Sequence, residues 1–199
     1  MAGTFSSPEI ENLFGVAELL MQVYKIFFEV DSYQFLLPLD LRWIERFPFD
    51  GARYEGKWEP PIAPVRQPRK KAPDIWSLFN DATFGLNAKA MELLKPVLPG
   101  SEFLPVEVQG KTVHFVNLPF VDCLDQTKST FDRKIMVRVM KPVFDRKKLT
   151  LSAFRIHEQP RGPLYVTEGA FPEREEFKKI VDANKLTGVY FVPIWPKKK

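Results

Sequence analysis

At 199 residues the chain is long enough for one domain with a real hydrophobic core and marginal for two. Its 18 prolines against 10 glycines exclude a mostly helical bundle, and a single cysteine excludes a disulfide-stapled scaffold. The formal net charge of +4 hides an asymmetry: residues 1–59 hold ten acids against five bases, so the basic excess lies downstream.

That excess sits partly in Arg69-Lys70-Lys71, Arg146-Lys147-Lys148 and the Lys197-Lys198-Lys199 tail. Short basic runs beside prolines or at a terminus read as solvated charge, which makes nucleic-acid binding the weaker reading. The most apolar region, Leu13 to Leu37, is interrupted by Glu18, Lys25, Glu29 and Asp31, which argues against a membrane span. The start lacks the cationic flank of a secretory signal, so a cytoplasmic location is expected.

Residues 1–20 read as an N-terminal extension in which Ser6, Ser7 and Pro8 open a short helix. A single α+β domain then runs over 21–199. The β-branched and aromatic run Val23 to Val30 predicts its first strand. From Phe47 to Pro73 the breakers Pro48, Gly51, Gly56, Pro60, Pro61, Pro64, Pro68 and Pro73 predict a proline-rich surface arm without regular helix. Trp58 in this arm is either a packing anchor, the commoner fate of a tryptophan, or an exposed contact for a partner.

Asn87 reads as the N-cap of a helix over 88–95, with Ala90, Leu93 and Leu94, or Met91 and Leu94, as its apolar stripe, stopped by Pro96 and Pro99. Strands follow over Phe103–Val108 and Thr112–Asn117, joined by the turn Gln109-Gly110-Lys111. Ile135–Met140 and Leu149–Ile156 continue the β-rich middle, and Leu164–Thr167 is a short strand. Glu173 to Asn184 predicts an amphipathic helix burying Phe177, Ile180 and Val181, with Glu173, Glu175 and Glu176 complementing its dipole. Thr187-Gly188 ends it before a last strand, Val189–Trp195. The pattern is a mixed or antiparallel β-sheet with two or three covering helices.

Chemistry-bearing residues concentrate in the loop Asp122-Cys123-Leu124-Asp125-Gln126-Thr127-Lys128-Ser129. A nucleophilic Cys123 needs a base, and no sequence rule places either His114 or His157 beside it. Its apolar neighbours Val121 and Leu124 mark it as a small buried residue. Asp122 and Asp125 could act as paired carboxylates, but capping of turn amides, with Lys128 or Ser129 bonded nearby, is the commoner use. Two histidines and one cysteine leave no zinc site of the common kind, and no cofactor or metal is expected.

Three blocks then converge in order. They are Phe84-Gly85-Leu86-Asn87-Ala88-Lys89-Ala90-Met91; Glu102-Phe103-Leu104-Pro105-Val106 with Asn117, Val121 to Asp125 and Lys128-Ser129; and Phe154-Arg155-Ile156, Leu164 to Glu168, Phe177 and Leu186 to Phe191. In this order and spacing the chain resembles the immunity protein eleven family of bacterial polymorphic-toxin systems, from Met21 to Trp195 and most strongly from Phe84 onward. The resemblance implies a cytosolic binding protein without enzymatic activity, which neutralises a cognate toxin encoded by an adjacent gene. It also implies that Asp122, Cys123, Asp125, Lys128 and Ser129 hold the fold, so that substituting the loop costs stability. Recognition of the toxin is then expected in the arm, at Tyr54, Glu55, Trp58 and Glu59, and in the N-terminal extension. The competing readings are a small enzyme using Asp122, Cys123 and Asp125, and a basic nucleic-acid-binding protein.

Overall fold

The computed structural model describes residues 21–40, 42–49, 51–78, 80–132, 134 and 138–196, and among these the β-rich runs build twelve strands. The predicted helix within residues 1–20, residues 135–137 of a predicted strand and the Lys197-Lys198-Lys199 tail lie outside the described residues. In chain order the elements are β1 (Gln22–Phe28), β2 (Phe35–Leu36), α1 (Arg42–Arg46), β3 (Val65–Arg66), β4 (Ile75–Leu78), β5 (Asn80–Leu86) and α2 (Ala88–Leu94). They continue with β6 (Glu102–Val108), β7 (Lys111–Asn117), β8 (Thr130–Asp132), β9 (Arg138–Lys141), β10 (Ala153–Phe154), β11 (Tyr165–Glu168), α3 (Phe177–Ala183) and β12 (Val189–Trp195).

One antiparallel sheet has the order β10-β11-β1-β12, and a second has the order β3-β2-β4-β5-β7-β6. The second is antiparallel except where β2 meets β4. A separate ribbon pairs β8 with β9. The architecture is mixed α+β, as the sequence predicts. Among the described residues, no helix is long and apolar enough to cross a membrane.

Strand alternation explains why three apolar clusters form. Tyr24 and Ile26 of β1 face a central core that joins both sheets and is covered by α2 through Ala90 and Leu94 and by α3 through Phe177 and Val181. Val23 points to the opposite face, into a cluster with Cys123, Leu124, Phe144, Phe154 and Tyr165. The far face of the six-stranded sheet presents Leu104, Val106, Val108, Val113 and Phe115 to a third cluster.

That third cluster corrects the expected surface arm. The described residues within 47–73 contain no helix, as predicted, but they fold back over the sheet. Phe47, Phe49 and Tyr54 are buried there, and Trp58 packs against Trp43 and Phe47 with ring centroids 5.5 and 5.2 Å away. Polar bonds fasten the same segment: Tyr54 N donates to the Glu102 carboxylate (2.9 Å), Asn117 Nδ2 to Ala52 O (2.8 Å) and Trp58 Nε1 to Pro105 O (2.9 Å). A sheet with two apolar faces needs two covering layers, and the proline-rich segment supplies the second.

The α2 cap is as predicted, with Asn87 Oδ1 accepting from Ala90 N at 2.9 Å. The hairpin between β6 and β7 turns on Gln109 and Gly110, both at positive φ (51° and 75°), which suits the twist of the flanking strands. Two predicted elements are shorter than expected. Leu149–Ile156 yields only the two residues of β10. The helix predicted from Glu173 to Asn184 splits into a 3₁₀ turn, Glu173–Glu175, and α3. Glu176 causes the break: it is buried, and its carboxylate accepts from Ala170 N (2.7 Å) and Phe171 N (3.1 Å) of the incoming loop. The helix ends at Ala183, with Lys185 at positive φ, rather than at Thr187-Gly188.

Candidate functional site

The loop from Asp122 to Ser129 is built around one carboxylate. Asp125 Oδ1 accepts from Thr127 N (3.1 Å), Thr127 Oγ1 (2.7 Å) and Lys128 N (3.1 Å), and Lys128 Nζ lies 2.8 Å from Oδ2. The Lys128 and Thr127 side chains, followed by the Lys128 amide, hold its carboxyl well below the usual carboxylate range despite some burial. Ser129 Oγ accepts from Val143 N at 2.9 Å and donates to Val143 O at 3.3 Å. Asp125 N donates to Val143 O and Asp145 N to Cys123 O, both at 2.8 Å, so the loop is laced to the segment after β9.

Cys123 is fully buried, and burial, with Glu158 nearby, pushes its thiol up to about 12. At neutral pH such a thiol carries almost no thiolate, the nucleophilic form. His157 stacks on Phe120 with ring centroids 4.7 Å apart, and His114 sits on β7, held low by burial and by Lys95. A thiol reagent at neutral pH should therefore leave Cys123 unmodified in the folded protein and label it fully in denaturant. Rapid stoichiometric labelling of the folded chain would rule out this burial.

Asp122 departs from the expected structural role. Its side chain is 73% exposed and, among the described residues, pairs with the exposed Lys148 at 3.4 Å, an interaction of little energetic weight. Of the five loop residues, the structure thus uses Cys123, Asp125, Lys128 and Ser129 to hold the turn and leaves Asp122 at the surface.

Two polar networks escaped the sequence reading. Asp74 Oδ2 accepts from Thr187 N and Thr187 Oγ1 (3.0 Å each), and Asn87 Nδ2 donates to Asp74 Oδ1 (3.0 Å). Burial alone would raise the Asp74 carboxyl, but these donors, with Lys89, hold it low. The clamp ties the starts of β4 and α2 to the turn before β12. Near α3, Tyr24 donates to Glu168 Oε2 (2.5 Å) while Lys178 and Lys179 approach Glu168 Oε1 at 3.4 and 3.2 Å. The helix N-cap at Asn87 was legible, but the partners of Asp74, 13 and 113 residues downstream of it, carry no local signal.

Of the predicted toxin contacts, Tyr54 is 6% exposed and Trp58 is half-buried, so their rings serve the chain's own packing. Glu55 and Glu59 remain exposed, Glu59 pairing with Arg46 at 2.7 Å. Beside them the structure presents a feature the sequence did not single out. Leu39 N donates to Ile62 O at 3.0 Å, extending the β2–β3 pairing outward. Leu39 is 64% exposed and Ile62 77%, above a hollow of about 280 Å³ walled by Pro38, Trp43, Arg46, Glu59, Pro60 and Pro61. The two exposed aliphatic side chains form a small apolar patch on a hydrogen-bonded backbone, rimmed by Asp40, Arg46 and Glu59.

No protein-family model matches the chain, and no curated protein matches it either.

Proposed function

We propose that the protein is an immunity protein: it binds and neutralises a bacterial protein toxin, encoded by an adjacent gene, in the cytoplasm of the producing cell or its kin. The observation that carries this reading beyond the family resemblance is the exposed Leu39–Ile62 pair. Single exposed aliphatic residues are common, but an adjacent pair rimmed by charged side chains matches the apolar centre and polar rim of a protein interface. The pinned backbone beneath them would spare the ordering entropy that loops lose on binding. The Asp122–Ser129 loop supports the same reading, because its thiol is buried and its Asp125 carboxylate is committed to backbone amides. A small enzyme working through that loop finds no such support.

Co-expression with the product of the adjacent gene in a sensitive host tests the proposal by survival and co-purification. Rescue with a stable complex is expected. The double variant Leu39→Asp/Ile62→Asp should weaken the complex at least about 10-fold, since losing one anchor of an interface commonly costs more than 1 kcal/mol. Its melting temperature should match wild type, because both side chains are already in water. A neighbour that stays toxic without binding sinks the function for that pair.

A further inference from the structure

The second face of the four-stranded sheet carries a cleft that neither the arm nor the Asp122–Ser129 loop accounts for. It measures about 560 Å³ and is lined by Lys25 of β1, Arg138, Val139 and Met140 of β9, Pro142, the turn from Gln159 to Pro163, Tyr165 and Ile194. Three of these side chains are cationic, Lys25, Arg138 and Arg161, and no Asp or Glu is among the described lining residues. Glu158, the acid next in sequence, is not among the lining residues, and its Oε1 accepts from Gln126 Nε2 at 2.9 Å. Its Oε2 is buried without a hydrogen-bond partner among the described residues, and its charge reaches the cleft-lining Tyr165.

The walls are fixed. Gln159 Oε1 accepts from Val139 N at 3.2 Å, so the side chain bridges the turn to the edge of β9. Gly162 N donates to Gln159 O at 2.9 Å, and a Cβ on Gly162 would lie 2.8 Å from that carbonyl. Only glycine lets the turn close this tightly and hold Arg161 beside the cleft. The cleft wall is more polar than apolar, but apolar side chains lie among the cations, with Met140 61% exposed and Val139, Pro142, Pro163 and Ile194 half-buried.

We infer that this cleft binds an acidic segment of a protein partner, whose carboxylates meet Lys25, Arg138 and Arg161 while its apolar side chains cover Met140 and Ile194. Cations alone would suit any polyanion. The interleaved apolar surface favours a chain that alternates carboxylate and aliphatic groups over the uniform phosphates of nucleic acid. The cleft deepens the proposed function, resting on the partner being a protein, and the net basic charge of the chain beyond residue 59 would steer such a partner toward it.

The test titrates the full chain with a short amidated peptide alternating glutamate and leucine, and in parallel with inorganic pyrophosphate and duplex DNA. Wild type should bind the peptide with an affinity that falls as salt rises. The exposed pair Arg138→Glu/Arg161→Glu should lose at least 10-fold of that affinity with an unchanged thermal melt, and Arg138→Gln/Arg161→Gln should lose less. No binding of the peptide by wild type, equal binding by the charge-reversed variant, or DNA bound more tightly than the peptide would each overturn the assignment. In the survival assay, equal rescue by wild type and Arg138→Glu/Arg161→Glu removes the cleft but leaves immunity standing. Failure of wild type to rescue removes immunity whatever the peptide does.

Discussion

Replacing Gly188 by alanine is expected to destabilise the protein by about 3 kcal/mol or more, summed from an unfavourable backbone conformation and a steric overlap. Gly188 has φ +103°, a region that side-chain-bearing residues rarely adopt. A Cβ there would lie 2.2 Å from the Ile75 carbonyl oxygen and 2.6 Å from Pro73 Cβ. The carbonyl belongs to a backbone that has no rotamer with which to yield. Ile75 N donates to Thr187 O (2.9 Å) and Glu29 N to Gly188 O (3.0 Å), so relief of the overlap must break bonds that join the start of β12 to both sheets. Urea denaturation should show a lower midpoint with an unchanged slope. Gly110→Ala is the control: φ is +75° but nothing lies within 4 Å of the added Cβ, so only the conformational cost of about 1 kcal/mol applies. Equal losses for the two variants would refute the close approach at Gly188.

What the sequence made legible follows from how local each determinant is. β1, β6, β7 and β12 were readable because apolar and β-branched residues run or alternate within each strand, and α2 because its cap and its stop lie within the helix's own neighbourhood. β4 was missed for a physical reason. Its four residues, Ile75 to Leu78, are all buried, so no alternation distinguishes the strand from any short apolar run. α1 did carry a signal that went unread: Asp40 Oδ1 accepts from Arg42 N at 3.0 Å, an acidic residue placed just before the helix. The splitting of the last helix was not legible at all. Glu176 as a dipole-complementing acid and Glu176 as a buried cap for Ala170 and Phe171 are the same letter in the same place.

For the candidate sites the division is similar. Asp125 as a capping carboxylate is a short-range property, three residues from its farthest amide partner, and the loop chemistry announced it. Nothing local separates Asp125 from Asp122, which lies exposed with its ion-pair partner 26 residues away. The prolines of residues 47–73 correctly denied helix but said nothing about where the segment lies. The missing clue was in β6 and β7, where Leu104, Val106, Val108, Val113 and Phe115 give the sheet a second apolar face that something had to cover. Once Phe49, Tyr54 and Trp58 are assigned to that cover, the proposed contact surface moves outward to Leu39 and Ile62.

Trp43→Ala is expected to cost about 3–5 kcal/mol, the range for emptying a buried aromatic site, and to disable the proposed contact surface with it. Trp43 is 3% exposed and sits among Phe47, Phe49 and Trp58, with ring centroids 5.5, 6.0 and 5.5 Å away. Its indole Nε1 donates to Glu59 O at 2.7 Å, which fixes the backbone immediately before Pro60, Pro61 and Ile62. Alanine leaves a hole among the rings and an unbonded carbonyl, whereas phenylalanine fills most of the hole and leaves only the carbonyl, at about 1–3 kcal/mol. The ordering alanine, then phenylalanine, then wild type in urea midpoint is the expected result. The functional consequence separates two ways of losing rescue. Leu39→Asp/Ile62→Asp should weaken toxin binding at least about 10-fold in a protein of wild-type stability, because it changes the surface and leaves its frame intact. Trp43→Phe should keep the surface chemistry and loosen the frame, so rescue should weaken more at higher temperature than at lower. If Trp43→Phe rescues as well as wild type at every temperature while Leu39→Asp/Ile62→Asp fails, the surface binds without needing a rigid frame. The argument from spared ordering entropy is then wrong even though the location is right.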